Sequence, residues 1–166
     1  VAGGTSVNSI AGDAVFELDM RGVDMGPLQA FEAQAMQAVH AAVAEENARW
    51  NSDKLSVSIE PVGARPAGMQ PADAPIIQSE MLAIQSIGLK PVLTGPASTD
   101  ANLPISLGVP ALAIGRGGVS GASHSLEEWY DAKDAYLGVQ KTLLTILTLV
   151  GVDGVTQPVL AKRPSR

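Results

Sequence analysis

The sequence contains no cysteine, only two histidines and fewer basic than acidic residues. Without cysteine the chain can form no disulfide, no thiolate metal cluster and no cysteine nucleophile, so any metal ion must be bound by His, Asp or Glu. Eleven Lys and Arg against seventeen Asp and Glu give a net charge of −6, which disfavours binding to phosphate backbones or anionic lipid. We therefore expect neither nucleic acid nor a membrane as a partner.

Long hydrophobic runs are also absent. The longest, residues 143–150, is interrupted by Thr145 and Thr148 and falls far short of the roughly 20 residues that span a bilayer. Residues 1–5 have neither the basic nor the apolar region of a signal peptide, so the cytoplasm is the expected location. The chain does not begin with methionine, which predicts that it was cut from a longer one.

The first part of the chain has the pattern of a strand-helix-strand unit. Apolar and polar residues alternate over residues 14–21 and again over 55–60, the period of a half-buried strand. Between them, Asp24 is a plausible N-cap of a long amphipathic helix that runs to about Trp50. Its predicted apolar stripe is Leu28, Phe31, Ala35, Val39 and Val43. The Pro/Gly cluster at 65–68 is the best candidate for a domain boundary.

The second part has the pattern of alternating helices and buried strands. Helices are predicted from Pro75 to Gly88, from Thr99 or Asp100 through Leu107, and over residues 132–150 after a capping box at 125–128. Strands are predicted at residues 91–93 and 109–114; the second is apolar without alternation, as in a parallel sheet covered on both faces. The last helix is expected to bury Tyr136, Val139, Leu143 and Leu147, and the end of the chain is expected to be frayed.

His124 is the first candidate for chemistry, because it follows a glycine-rich loop, residues 115–121, after a predicted buried strand. The alternative is a solvated loop histidine. A metal-binding imidazole usually needs a second group on its other ring nitrogen, and the nearby acidic candidates are Glu127, Glu128 and Asp131. His40 lies in the middle of the first predicted helix and is expected to be structural or exposed.

The polar segment 98–102 is the second candidate, since its helix start could bind an anionic group; the alternative is an ordinary N-cap. Two other interpretations are weaker. Residues 114–120 approximate a dinucleotide-binding turn, but serine occupies the third glycine position and the next residues do not open a helix. A serine hydrolase would need Ser98 or Ser123 beside His124, and no Gly-x-Ser-x-Gly elbow occurs.

Five motifs in this order resemble one family, the two-zinc peptidases and deacylases that include acetylornithine deacetylase, succinyl-diaminopimelate desuccinylase, glutamate carboxypeptidase and the aminoacylases. The motifs are residues 3–10 (GGTSVNSI), 17–21 (ELDMR), 65–68 (RPAG), 98–102 (STDAN) with 108–111 (GVPA), and 115–118 (GRGG) leading to 124–131 (HSLEEWYD). The resemblance extends to about residue 150.

The resemblance implies an α/β chain in two parts. Residues 1–66 would be the second half of a ferredoxin-like α+β lid, which often dimerises, and residues 67–154 the C-terminal part of an α/β zinc-exopeptidase domain, with a flexible tail over 155–166. His124 would be a terminal zinc ligand. The residues expected near the substrate are Asn8, Arg65, Asp100, Asn102, Arg116, Gly117 and Gly118, with Arg65 or Arg116 holding a carboxylate through its planar fork.

The same resemblance implies a zinc-dependent hydrolase that cleaves N-acyl amino acids or short peptides with a free carboxylate. Two zinc ions would activate a water and polarise the amide, which takes several carboxylates and at least two histidines. The family's other ligands lie in its N-terminal half and do not appear here, so this chain alone is expected to be inactive. The alternative is a non-catalytic lid and dimerisation module of the same family.

Overall fold

The computed structural model describes residues 2–160, and the chain divides into two compact units, Val1–Ala67 and Gly68–Arg166. Helices and two small antiparallel sheets give both units a mixed α+β character. The first unit contains β1 (Ala2–Gly3), β2 (Ala14–Val15) and α1 (Met25–Arg49). The second contains α2 (Pro75–Ser86), α3 (Asn102–Ser106), β3 (Val119–Gly121), β4 (Trp129–Asp131) and α4 (Tyr136–Val150).

The long helix α1 confirms the predicted helix and its cap. Asp24 has extended backbone angles, and its carboxylate accepts a hydrogen bond from the Gly26 N–H at 2.9 Å, which satisfies one of the free donors of the first turn. Near the end of the helix, the side chain of Asn47 forms two hydrogen bonds with the backbone of Leu55. Its amide donates to the Leu55 carbonyl at 2.8 Å and its oxygen accepts from the Leu55 N–H at 3.0 Å, which fixes the returning chain.

The predicted strands are wrong over most of their length. Of residues 14–21 only Ala14–Val15 forms a strand, paired antiparallel with Ala2–Gly3, and residues 55–60, 91–93 and 109–114 lie outside any strand. A strand exists through the hydrogen-bond ladder it shares with a neighbour, whereas alternation or apolarity in the sequence reports only the expected burial. Within residues 2–160 these segments have no such neighbour.

The two longer helices of the second unit pack against each other. Proline occupies the first position of α2, and Gly88, one residue beyond its C-cap, has φ +81°, so the predicted start and left-handed stop are both confirmed. The short helix α3 is likewise followed by a left-handed glycine, Gly108, with φ +70°.

The helix α4 differs from its prediction in both start and orientation. It begins at Tyr136 instead of residue 132, because residues 133–135 form a turn after β4 in which Asp134 is left-handed, with φ +57°. Its buried residues are Gly138, Lys141 and Thr145, whereas the four residues predicted to be buried are exposed, namely Tyr136, Val139, Leu143 and Leu147. The side-chain hydrogen bonds between α4 and α2 are made by Lys141 and Thr145, on the buried polar side of α4.

A buried ion pair joins α2 to α4. The Lys141 ammonium donates to Glu80 Oε1 at 2.5 Å, and both side chains are less than one tenth exposed. Thr145 Oγ1 lies 2.6 Å from Glu80 Oε2 and 2.9 Å from the Lys141 carbonyl oxygen. Both oxygens of the carboxylate thus have a partner, which is what allows a charged group to remain in a desolvated place.

The segment after α4 folds back onto the end of that helix. The Val159 N–H donates to the Thr148 carbonyl at 3.2 Å and the Leu160 N–H to the Leu149 carbonyl at 3.1 Å. The tail predicted to begin at residue 155 is thus hydrogen-bonded as far as Leu160, and its last six residues lie outside the described part. None of the described helices is both long and apolar enough to cross a membrane.

Candidate functional site

A glycine loop at residues 115–118 packs against the first turn of α4. Gly117 and Gly118 have φ of +86° and +68°, a left-handed conformation that side chains with a Cβ rarely adopt. A Cβ on Gly117 would lie 2.5 Å from the Ala135 carbonyl oxygen, and one on Gly138 would overlap the Arg116 carbonyl group. Glycine is therefore required on both sides of this contact.

Tyr130 on β4 supports the loop in two ways. Its hydroxyl donates to the Gly117 carbonyl oxygen at 3.2 Å, and its ring lies under the Arg116 guanidinium, whose central carbon is 4.6 Å from the ring centroid. That distance is within the range of a cation–π interaction. Arg116 makes no ion pair with any residue in the described range. The loop, together with Ser120, lines an open depression of about 360 Å³.

His124 lies in the loop that joins β3 to β4. Its backbone is left-handed, with φ +66°, and its side chain is exposed. The Glu128 carboxylate accepts a hydrogen bond from the His124 backbone N–H at 3.2 Å. Of the acidic residues predicted to orient the imidazole, Glu128 thus contacts the main chain of His124, and no described residue hydrogen-bonds to its ring.

The hairpin places these two features at opposite ends. Val119 pairs with Asp131 at the end next to Gly118, and Gly121 pairs with Trp129 at the end next to the His124 loop. Three paired residues at about 3.4 Å per residue separate the ends by roughly 7 Å. One short hairpin therefore separates the loop that carries Arg116 from the loop that carries His124.

The described residues do not by themselves fit a zinc ion. They contain no group of three or more His, Asp or Glu side chains that could hold a metal. A zinc site in proteins takes three or four protein ligands, and His124 offers one exposed imidazole. Any zinc bound through His124 would need its remaining ligands from outside this set of residues.

The dinucleotide interpretation is wrong for a structural reason. A dinucleotide-binding turn leads into a helix whose N-terminus binds the pyrophosphate. Here residues 115–118 lead into the strand β3, and the capping box predicted at 125–128 opens no helix either. The glycines instead permit the close packing against α4.

The polar segment before α3 is organised by its own side chains. Asn102 Oδ1 accepts a hydrogen bond from the Thr99 N–H at 2.8 Å, and Thr99 Oγ1 accepts one from the Ala101 N–H at 3.2 Å. Asn102 is the first residue of α3, and Asp100 is exposed just before it. These two hydrogen bonds form a local turn, but the N-cap of α3 is Ala101, without a side-chain capping bond, and not the predicted Thr99 or Asp100.

The remaining two predicted substrate residues, Asn8 and Arg65, belong to the first unit. Both are exposed. Asn8 lies in the loop between β1 and β2, where its Oδ1 accepts a hydrogen bond from the Ser6 hydroxyl at 3.0 Å. The other six predicted residues, including His124, belong to the second unit.

Asp19 and Arg21 of the second motif form an exposed ion pair, with Nη2 and Oδ2 2.7 Å apart. The hydrogen bond and the positive charge of Arg21 hold the pKa of the Asp19 carboxyl below its ordinary value of 3.8. A carboxyl with a lowered pKa contributes stability above its unfolded pKa and loses it as the pH falls through the folded pKa; exposure to solvent keeps this contribution small.

We predict that Arg21→Gln raises the pKa of the Asp19 carboxyl back towards 3.8, because both the hydrogen bond and the charge are removed. The measurement is a carboxyl-carbon NMR titration between about pH 2 and 6. Arg49→Gln is the matched control, since Arg49 pairs with Glu46 and should leave Asp19 unchanged. An Asp19 titration that is the same in wild type and Arg21→Gln would show that the pair does not persist in solution.

Two residues of this region were not among the predicted site residues. Tyr130 contacts the loop across the hairpin, and no spacing rule in the sequence gives that contact. Gly138 carried a usable signal, because a glycine inside a helical pattern often marks a close approach of another backbone.

No family model matches this chain, and no curated protein is significantly similar to it.

Proposed function

We propose that the chain is the C-terminal portion of a zinc-dependent amide hydrolase that cleaves N-acyl amino acids or short peptides with a free carboxylate. The proposal rests on the motif resemblance to acetylornithine deacetylase and its relatives. One structural observation supports it most directly: Arg116 is held on the Tyr130 ring beside an open depression and, among the described residues, makes no ion pair. A guanidinium in that state suits a carboxylate ligand.

In this proposal residues 1–66 form part of a ferredoxin-like lid through which the complete protein dimerises, and residues 67–154 form the C-terminal part of the catalytic domain. His124 supplies one zinc ligand, and the remaining ligands come from the N-terminal half. His124 is exposed at the tip of a hairpin, a position that suits a zinc ligand whose metal is also bound by residues from another part of the protein.

The alternative is a non-catalytic lid and dimerisation module of the same family. The observation that favours it is the donor set, because the described residues bring together no three metal-binding side chains. The two functions differ in whether the complete protein supplies the missing ligands, and this is open to direct test.

We predict that His124→Ala in the complete protein lowers kcat/KM for N-acetyl-L-amino acids by at least about 100-fold, since loss of a ligand should exceed the 10–100-fold effect of changing an outer-shell partner. Zinc content, measured by metal analysis after dialysis, should fall in parallel. Dialysis against a chelator should abolish the wild-type activity, and added zinc should restore it.

His40→Ala is the matched control, because His40 is the other histidine of the chain and is exposed on α1. It should keep both activity and zinc. Full activity in the His124→Ala protein would show that His124 is not a zinc ligand. A complete protein that is inactive and contains no zinc would favour the non-catalytic module.

A further inference from the structure

We infer that Tyr130 is a positioning residue that orients Arg116 to hold the carboxylate of the substrate. This inference rests on the proposed function and adds to it a residue that directs the specificity of the site. The carrying observation is that one side chain contacts both the cation and the loop that bears it: the ring lies 4.6 Å from the Arg116 guanidinium carbon, and the hydroxyl donates to the Gly117 carbonyl at 3.2 Å.

An aromatic ring supports the Arg116 guanidinium differently from an acidic side chain. An acidic residue in the same place would also hold Arg116, but it would neutralise the charge and occupy the N–H donors that bind a carboxylate. An aromatic ring attracts the cation through its face and leaves both the charge and the donors of the guanidinium for a ligand. Within the described residues Arg116 has no acidic partner, so Tyr130 orients the cation without neutralising it.

The same side chain limits the movement of the loop. A Cβ on Gly118 would lie 2.7 Å from the Tyr130 hydroxyl oxygen and 2.5 Å from the Asp131 carbonyl oxygen, so this turn of the loop lies directly against β4. Gly117 and Gly118 are both left-handed, and glycine can leave this conformation easily because positive and negative φ are about equally accessible to it. The hydroxyl bond to Gly117 and the contact at Gly118 therefore hold the backbone immediately after Arg116.

The test uses the 166-residue chain and two probes that differ in charge, N-acetylglycine and its neutral amide, N-acetylglycinamide. Binding is followed by the amide NMR signals of residues 115–118. Wild type should bind the acid more tightly than the amide, and Arg116→Gln should reduce acid binding to the level of the amide. Tyr130→Leu should weaken acid binding about two- to five-fold, the worth of an exposed cation–π contact, and leave amide binding unchanged.

Two further variants separate positioning from folding. Tyr130→Phe keeps the ring and loses the hydroxyl, so acid binding should stay within about two-fold of wild type while the signals of Gly117 and Gly118 shift. Tyr136→Leu is the matched control, a tyrosine that is more than half exposed at the start of α4, and it should change neither probe. In the complete protein, Tyr130→Leu should raise KM for the acid with kcat nearly unchanged.

Several results would overturn the inference. The inference is wrong if Tyr130→Leu and Tyr136→Leu bind the acid with the same affinity. It is also wrong if Tyr130→Leu loses the same affinity for the acid as for the amide, because an equal loss indicates a structural role. If Tyr130→Leu does not fold, Tyr130→Phe and Tyr130→Trp decide, and loss of the acid preference in both contradicts the role of the ring. If the wild-type chain does not bind the acid more tightly than the amide, the inference about Tyr130 is wrong, and the His124 test of the proposed function is unaffected. If the His124→Ala enzyme is active, the zinc proposal is wrong, and the carboxylate-binding result is unaffected.

Discussion

Replacing Lys141 by methionine is expected to lower the free energy of unfolding of the second unit by about 3–5 kcal/mol, the range found when one member of a buried ion pair is removed. Methionine fills much of the lysine volume, so the loss comes from charge and not from a cavity. Glu80 would remain less than one tenth exposed with only Thr145 to hydrogen-bond its carboxylate. Urea unfolding followed by circular dichroism measures the effect.

The double variant Glu80→Leu/Lys141→Met is the informative comparison. Replacing a whole buried pair by apolar residues of similar volume is often neutral or stabilising by about 1–4 kcal/mol, because the cost of desolvating two charges disappears. We therefore expect the second substitution to recover what the first one lost. Lys133→Met, at an exposed lysine just before α4, is the control and should change stability by less than about 0.5 kcal/mol. If Lys141→Met lowers the free energy of unfolding as little as Lys133→Met does, the Lys141–Glu80 pair is solvated.

Three helix boundaries were predicted well because their signals are local. The Asp24 cap, the Pro75 start and the Gly88 stop each depend on a few neighbouring residues, and the structure shows all three with the expected geometry. Caps of this kind satisfy backbone groups within one turn, so the sequence contains the whole reason for them. The division of the structure into two units lies between Ala67 and Gly68.

The strands and the face of α4 could not be predicted in the same way. A strand needs a partner elsewhere in the chain, and residues 55–60 and 109–114 find none among the described residues. Helical periodicity placed the apolar stripe of α4 in a core, but the contact with α2 is made by Lys141 and Thr145, whose partner Glu80 lies 61 residues from Lys141. Such a pair depends on tertiary packing, which amphipathic patterns do not encode.

The candidate site was predicted in part. Its loop and its histidine stand out because glycines and a lone His follow an apolar run, and the structure joins them through one hairpin. Tyr130 could not be found from spacing, since its contacts with Arg116 and Gly117 cross from one strand to the loop before the other. Side-chain partners of this kind follow from strand register, and register was the part of the fold that the sequence specified least.

We expect Gly138→Ala to destabilise the second unit by about 2 kcal/mol even though alanine favours a helix over glycine by about 1 kcal/mol. The new Cβ would overlap the Arg116 carbonyl group and lie 2.6 Å from the Gly117 nitrogen, and these are backbone atoms that can yield only if the loop moves. Overpacking of this kind typically costs about 1–3 kcal/mol and occasionally more. Urea unfolding measures the loss, and NMR signals of residues 115–118 report the displaced loop.

Gly115→Ala is the control for the Gly138 substitution, because its Cβ would meet nothing within 4 Å. It should leave stability and the signals of Gly117 and Gly118 nearly unchanged. Since the loop carries Arg116, the Gly138→Ala chain should also lose its preference for N-acetylglycine over the amide. A stabilised Gly138→Ala protein with unshifted loop signals would show that helix propensity outweighs the contact and that the loop does not rest against α4 in solution.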